Sequence, residues 1–361
     1  MQRPVMNPMF MEEKDAAPAK KPKLSAKRRL VQFACTWGLR GLKLARRVLF
    51  TNLFRMNQAR LRVEDGTPTQ RFVRALLYRL AFVPVLLALF VAALVFAVTH
   101  PPRAIGAEGD PLVHGVYYDP VTFLAEDGTR LEGWLVPVYD AKRVLEEKER
   151  ALHKKHPAIV LVHDYTGTRQ QMLPLVPKLH DAGMVVLVFS LRGSGASESA
   201  AQTFGLKESM DVRAAVDMLR RRAYVDPARV SVMGVGTGAN AAMIAAEQDS
   251  SIAALVLDRP VESFEAAMSG RLGEDERWVK ALMPLLKWTF EAMYHVDADH
   301  LNAAEFTGTV SSRPTLRFGP TAAGTLAPYR TQNGDGLMQF LRAHKITGES
   351  AKKPLIASNR D

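Results

Sequence analysis

Cysteine is almost absent from this chain of 361 residues, which contains only Cys35. A single cysteine can form neither an intrachain disulfide nor a multi-thiolate metal site, so disulfide-stabilised and zinc-finger folds are excluded. The nine histidines show no H-E-x-x-H spacing, and we predict no metal and no cofactor. The fold must therefore be held together by its apolar residues, which make up 47% of the sequence.

Acidic residues are scarce in the N-terminal part of the chain. Residues 1–80 contain 18 Lys and Arg against 5 Asp and Glu, so the net charge of +11 belongs to this segment. Because the basic charge is confined to one arm, we expect no nucleic-acid partner. Residues 1–29 are predicted to be a disordered basic tail, since they contain few large apolar side chains.

Charge is missing altogether between Arg79 and Arg103. Residues 80–99 form an apolar run that, at about 1.5 Å per residue, can cross a hydrocarbon layer of about 30 Å. A buried helix of a soluble protein usually keeps a polar stripe, which this run lacks, so we predict a single transmembrane helix. We expect Pro84 in its first turn, where a missing N–H group is tolerated.

The basic segment before this run sets the expected orientation. Within residues 30–79, Val31, Cys35 and Leu42 recur at helical spacing beside many basic residues, which predicts a basic amphipathic helical arm. Such an arm can lie on anionic lipid or dock on a protein partner, and the sequence leaves both open. By the positive-inside rule, the N-terminus is cytoplasmic and the large domain is periplasmic or extracytoplasmic.

After a linker at residues 100–112, the pattern is that of an α/β domain over residues 113–346. Residues 115–137 alternate apolar and polar residues around Asp127-Gly128, which predicts a β-hairpin. Residues 158–163 are a continuous apolar run typical of a buried parallel strand, and helical and strand patterns alternate after it. We predict a doubly wound, mostly parallel sheet, followed by a flexible tail at residues 347–361.

Three motifs resemble those of the α/β-hydrolase superfamily, in its serine aminopeptidase, lipase and esterase-like branch. In chain order they are Leu161-Val162-His163, the segment Phe189–Ser197, and the segment Asp226–Gly238 with its glycine run Gly234–Gly238. The resemblance implies the hydrolase fold, with these motifs as the third strand, the loop after the fourth strand, and the nucleophile elbow. A dinucleotide-binding interpretation of the same glycines is disfavoured, because the run follows a late strand of the sheet.

The residues that the resemblance implies for catalysis are missing. Gly236 stands where the family has its serine, between the retained glycines Gly234 and Gly238, so no acyl-enzyme can form there. No acid occurs in residues 320–326 and no histidine in residues 325–334, before a last helix predicted at 336–343. Asp164 replaces the glycine of the family's His-Gly pair, and its carboxylate would oppose an oxyanion. We therefore assign no catalytic residue.

Two hypotheses remain. The first is a membrane-anchored pseudo-hydrolase that works as a binding, scaffold or assembly module for a protein partner. The second is a divergent hydrolase of ester, amide or peptide bonds with an unusual nucleophile such as Thr237. Several residues fall at the carboxyl ends of strands, where this fold places ligands, and are candidates for a remnant pocket, with structural ion pairing as the rival explanation. They are His163, Asp164, Tyr165, Arg192 and Asp258.

Overall fold

The computed structural model describes residues 67–103, 109–138, 154–273, 277–301, 313–318 and 331–348. The predicted tail at 1–29, most of the arm at 30–79, part of the linker at 100–112 and nearly all of the C-terminal tail at 347–361 lie outside these ranges. So do residues 319–330, which contain the expected position of the acid and most of the segment expected to contain the histidine.

The described chain contains helices α1 to α7 and strands β1 to β7. The helices are α1 Pro68–Thr99, α2 Val176–Asp181, α3 Glu208–Arg220, α4 Thr237–Gln248, α5 Phe264–Leu272, α6 Arg277–Tyr294 and α7 Thr331–Ala343. The strands are β1 Asp119–Leu124, β2 Arg130–Val136, β3 His156–Val162, β4 Val185–Ser190, β5 Val225–Val235, β6 Ala254–Asp258 and β7 Thr315–Phe318. Short 3-10 turns occupy Pro111–His114, Arg169–Leu175 and Ala298–Leu301.

The seven strands form one sheet in the order β1-β2-β4-β3-β5-β6-β7. Strands β1 and β2 are the predicted antiparallel hairpin, and β2 pairs antiparallel with β4. All other neighbours are parallel. The predicted doubly wound, mostly parallel sheet is confirmed, and the carboxyl ends of β3, β5 and β6 meet at one edge.

Both faces of the sheet are covered, which explains why its central strands read as continuous apolar runs. In β3, Val160 and Val162 belong to a core that also contains residues of α3, α4, α5 and α6. Ile159 and Leu161 point into the second core, which contains residues of α2 and α7. The alternation of β3 side chains between two apolar layers thus fixes its position in the middle of the domain.

Two predicted helices differ from the observed ones. The pattern of residues 170–182 predicts one helix, but the structure has a 3-10 turn followed by the short α2. Pro174 lies within the turn and cannot continue an α-helical hydrogen-bond ladder. The last helix begins at Thr331 rather than at Gly336. Gly334 and Gly336 are weak helix formers, yet Leu337 and Leu341 bury the helix against the sheet and outweigh that preference.

Helix α1 is longer than the apolar run, so Pro84 lies in its interior and the expectation of a first-turn proline was wrong. On length and composition, Arg79–Thr99 is the one segment of the described residues apolar enough to cross a membrane, with a mean hydropathy of 2.9. A compact unit begins at Leu86, inside this helix, and includes the whole α/β sheet. Val91, Val95 and Val98 form a stripe that is buried in its core.

Candidate functional site

The turn between β5 and α4 keeps the backbone of a nucleophile elbow although it carries no nucleophile. Gly236 joins the strand to the helix with φ 56° and ψ −120°, a conformation that residues with a Cβ atom rarely adopt. Its N–H group donates to the Asp258 carbonyl oxygen at 2.8 Å, which fixes the turn against the end of β6. The sharp strand-to-helix turn is therefore retained without its side chain.

The two flanking glycines are required by close backbone packing. A Cβ atom on Gly234 would lie 2.2 Å from the Gly238 carbonyl oxygen, and one on Gly238 would lie 2.4 Å from the His163 carbonyl oxygen. Strand β5, helix α4 and the loop after β3 thus approach one another at backbone contact. Side chains at either position would force these elements apart.

The Asp164 carboxylate occupies the volume beside Gly236 that a nucleophile side chain would fill. A Cβ atom on Gly236 would lie 1.9 Å from Asp164 Oδ1 and 2.5 Å from Oδ2, far inside van der Waals contact. The absence of a side chain at 236 and the presence of the carboxylate at 164 are therefore sterically linked. The sequence placed both residues in this region but did not indicate that one fills the space of the other.

Two backbone amides bind the same carboxylate oxygen. Asp164 Oδ1 accepts from the Thr237 N–H group at 2.9 Å and from the Tyr165 N–H group at 2.7 Å, and the Thr237 hydroxyl lies 3.4 Å away. In an active elbow, the amide after the nucleophile and an amide from the loop after the third strand form the oxyanion hole. Here both corresponding donors point to a resident carboxylate.

The His163 ring is buried, and both of its nitrogens are used by the backbone. Nδ1 lies 2.7 Å from the Asp164 carbonyl oxygen, and Nε2 lies 2.9 Å from the Leu191 amide nitrogen. A neutral ring that donates from Nδ1 and accepts at Nε2 satisfies both contacts. Burial lowers the pKa of His163 to about 4, so the ring is neutral near pH 7. These bonds hold two loops together and leave no ring nitrogen for a catalytic base.

Arg192 is engaged in ion pairs away from the elbow. Its guanidinium contacts both oxygens of Asp211 on α3, the closest at 2.6 Å, and reaches Asp127 in the β1–β2 turn at 2.6 Å. Burial opposes the charge, but the bonds to Asp211 and Asp127 raise the pKa of Arg192 above its usual range. The side chain ties a helix to a hairpin, as expected of a structural ion pair.

The hydroxyls of the neighbouring loop are also occupied. Ser197 Oγ donates to the Ser190 carbonyl oxygen at 2.6 Å, and Ser194 Oγ accepts from Gln202 at 2.9 Å. Both serines are buried. Within the described part of the chain, neither hydroxyl has a hydrogen bond to a histidine or a carboxylate, so neither has there the activating base that a serine nucleophile requires.

The groups around Asp164 carry charges of both signs. Asp258 ends β6 and forms an ion pair with Arg259 at 3.3 Å. Burial raises the pKa of Asp258, and the negative charge of nearby Asp164 raises it further. From α5, the Arg271 guanidinium lies 3.9 Å from the centre of the Tyr165 ring. No motif identifies Arg271, which reaches the site because α5 packs into the core through Phe264 and Met268.

Tyr165 connects this loop to the last turn of α1. Its hydroxyl donates to the Val98 carbonyl oxygen. The backbone N–H group of Gln202 donates to the Thr99 carbonyl oxygen at 2.7 Å. The Thr99 hydroxyl lies 2.5 Å from the Tyr294 hydroxyl. The end of the apolar helix is thereby held next to the elbow, a contact that hydropathy patterns do not reveal.

One acidic cluster lies elsewhere, at the end of α6. Carboxylate oxygens of Glu291, Asp297 and Asp299 lie within 4.8 Å of one another. Asp299 pairs with Lys287, and Asp297 lies 3.2 Å from His300. Ion pairing and local turn geometry account for this cluster.

Comparisons with known proteins agree with this geometry at the level of the fold. The sequence model of the Dienelactone hydrolase family matches residues 143–261. An esterase of Pyrococcus furiosus is 19% identical, with a TM-score of 0.50 over 68% of this chain and 97% of its own. The C-terminal domain has the α/β-hydrolase fold, and the predicted fold class is confirmed.

The relatives found by sequence are uncharacterised proteins, so they do not indicate a function. The uncharacterised protein YfhR of Salmonella typhi is 29% identical over 157 residues, which are 40% of this chain and 50% of that protein. An uncharacterised protein of Mycobacterium tuberculosis is 33% identical over 139 residues, which are 38% and 44% of the two chains. The chain thus spans about half the length of the curated relatives it matches.

Proposed function

We propose that this protein is a membrane-anchored, non-catalytic α/β-hydrolase module that binds or assembles a protein partner. The observation that carries the proposal is the Asp164 carboxylate, which fills the nucleophile space beside Gly236 and accepts both amides of the would-be oxyanion hole.

Acyl transfer in this fold needs an attacking group and an empty set of donors for the developing negative charge. Gly236 supplies no attacking group. Asp164 already uses the Thr237 and Tyr165 amides, and its own negative charge would repel an oxyanion at that position. The described site therefore has neither an attacking group nor free donors for an oxyanion. His163, which is neutral and bonded to the backbone, is not available as a base either.

Residues 80–99 anchor the domain in this proposal, and the basic arm before them contacts anionic lipid. The positive-inside rule then places the N-terminus in the cytoplasm and the α/β domain on the periplasmic or extracytoplasmic side. This arrangement presents an inert domain at a membrane surface, which suits recognition of another protein.

A hydrolase with an unusual nucleophile is the second candidate. Its support is the Thr237 hydroxyl, which lies 3.4 Å from a carboxylate that could accept its proton. Thr237 is only 3% exposed, so a substrate would have to displace Asp164 to reach it. For that reason we favour the non-catalytic function.

Covalent labelling of the full-length protein separates the two functions. The wild type and Thr237→Val are incubated in detergent with a fluorophosphonate probe and with a panel of short-chain esters, beside an active serine esterase. We expect the esterase alone to be labelled and to turn over ester. A labelled serine or threonine in the wild type, mapped by peptide mass spectrometry, would establish a nucleophile and overturn the proposal; loss of that label in Thr237→Val would identify it.

A further inference from the structure

Helix α6 has two apolar faces, and the described part of the domain fully buries only one of them. The covered face consists of Val279, Met283, Leu286, Phe290 and Tyr294. The opposite face is a stripe, here called the α6 stripe, that consists of Trp278, Ala281, Leu285, Trp288 and Ala292. Leu285, in its middle, is half-buried and packs against the core, whereas the other four residues are exposed. The members of the stripe are three or four residues apart, so they lie in one line along the helix. Trp288 is 66% exposed and Trp278 39%.

The charged residues of α6 avoid this stripe. At about 100° per residue, Arg277, Lys280, Lys287 and Glu291 all fall on one flank between the covered face and the exposed stripe. Lys287 is paired with Asp299. A continuous uncharged surface with two exposed tryptophans is unusual on a water-soluble domain and indicates a contact surface.

The position of the stripe points to lipid as the occupant. Tyr294, the last residue of α6, lies with its hydroxyl 2.5 Å from the Thr99 hydroxyl, at the end of the helix that can cross a membrane. Trp288 lies six residues earlier, or about 9 Å along the helix axis. For a helix that lies flat in the interface this distance is lateral, so Trp288 stays close to the point at which α1 leaves the bilayer.

Tryptophan is the side chain that suits this layer best. Its ring is apolar while its N–H group needs a polar partner, and for this reason it is enriched where hydrocarbon meets headgroups. The basic residues Arg277 and Lys280 beside Trp278 can extend their charged ends towards headgroups while their stems stay on apolar surface. A helix with these features lies flat in an interface.

We infer that the α6 stripe rests in the lipid interface of the membrane face from which α1 emerges. The α/β domain then has two membrane contacts, the spanning helix and the α6 stripe, which together fix its tilt on the bilayer. The inference rests on the membrane anchoring in the proposed function.

Spin labels on the full-length protein test this contact. In a Cys35→Ser background, single cysteines replace Trp288 on the stripe, Leu89 in the span and Leu124 on the edge strand. The three native side chains are similarly exposed, at 66%, 63% and 62%. The labelled proteins are reconstituted in vesicles of phosphatidylcholine and phosphatidylglycerol. Collisions with oxygen, which concentrates in lipid, are compared with collisions with a water-soluble nickel chelate. A label at Ala292 repeats the measurement in case Trp288→Cys does not fold.

We expect oxygen collisions to dominate at positions 288 and 89, and nickel collisions at 124. Nickel collisions at 288 and 292 as frequent as those at 124, with 89 still in lipid, would overturn the α6 contact and leave the anchor intact. Protection of 288 from both reagents would mean that protein, such as a second copy, covers the stripe, and would also overturn it. A water-accessible label at 89 would refute the anchor and with it this inference.

Discussion

Gly236→Ser introduces a Cβ atom where the Asp164 carboxylate already lies. The atom would stand 1.9 Å from Oδ1, so the carboxylate or the turn must move. Overpacking of this kind costs about 1 to 3 kcal/mol. The backbone at φ 56° adds about 1 to 3 kcal/mol for any residue with a Cβ atom. We therefore expect Gly236→Ser to lose about 2 to 6 kcal/mol of stability. The variant should be inactive as well.

The variant Asp164→Gly separates the steric cost of the new Cβ atom from the cost of backbone strain at position 236. This change removes the clash but leaves the Thr237 and Tyr165 amides without their acceptor, at about 1 to 3 kcal/mol. In the double variant Gly236→Ser/Asp164→Gly, the clash is gone, and only the backbone strain and the lost hydrogen bonds remain. The double variant should be about 1 to 3 kcal/mol more stable than the sum of the single changes predicts.

Thermal unfolding of the four full-length proteins in one detergent measures this interaction energy. Gly115→Ser is the matched control, because Gly115 has φ 71° but no atom lies within 4 Å of the position that a Cβ atom would take there. It should be destabilised by strain alone and show no interaction with Asp164→Gly. Additive effects at positions 236 and 164 would refute the steric link between them. Ester turnover by the folded double variant would show that a base and an acid survive, and that the site is not dismantled.

Three further predictions test other parts of the structure. The folded-state pKa of His163 is about 4, below the ordinary value of 6.5. The neutral ring therefore contributes about 3 kcal/mol to the free energy of unfolding above pH 6.5, and this contribution is lost as the pH falls to 4. His163→Gln should flatten that part of the curve of stability against pH. Tyr294→Phe removes the hydroxyl bonded to Thr99 and should cost about 1 kcal/mol, measured by the shift in melting temperature; no shift would contradict a stabilising role for this bond. Protease added to spheroplasts should cleave after Gly109 and spare the basic arm, and the reverse pattern would contradict the orientation.

The fold could be predicted because its main signals are local. The continuous apolar run of β3 predicts a strand covered on both faces, and Asp127-Gly128 predicts the turn of the hairpin. The spacing of Gly234, Gly236 and Gly238 identifies the elbow. Each glycine is required by the local backbone, either for close packing against a neighbouring segment or for a positive φ. Helix ends were less accurate, because proline and glycine preferences compete with packing.

The arrangement of the site could not be predicted in the same way. The sequence shows that an aspartate follows His163, but its direction depends on how the loop after β3 meets a turn far along the chain. Arg271 is a helix residue with no motif, and it reaches Tyr165 only through packing of α5. The valine stripe of α1 was hidden as well, because a run that is apolar on every side gives no sign of which side meets protein.

The loop after β3 links the filled site to the end of α1 within three consecutive residues. His163 fixes the start of the loop through the Leu191 amide, Asp164 occupies the space beside Gly236, and Tyr165 binds the Val98 carbonyl at the end of α1. The Tyr165 backbone N–H group donates to the Asp164 carboxylate, and the Tyr165 hydroxyl donates to the Val98 carbonyl oxygen of α1. The position of the carboxylate and the position of the end of α1 therefore depend on the same residue. A hydrolase must let substrate reach its elbow, whereas here the elbow, its carboxylate and the end of α1 hold one another in place. That mutual support favours a rigid domain fixed at the end of its helix, which is what a binding module at a membrane requires.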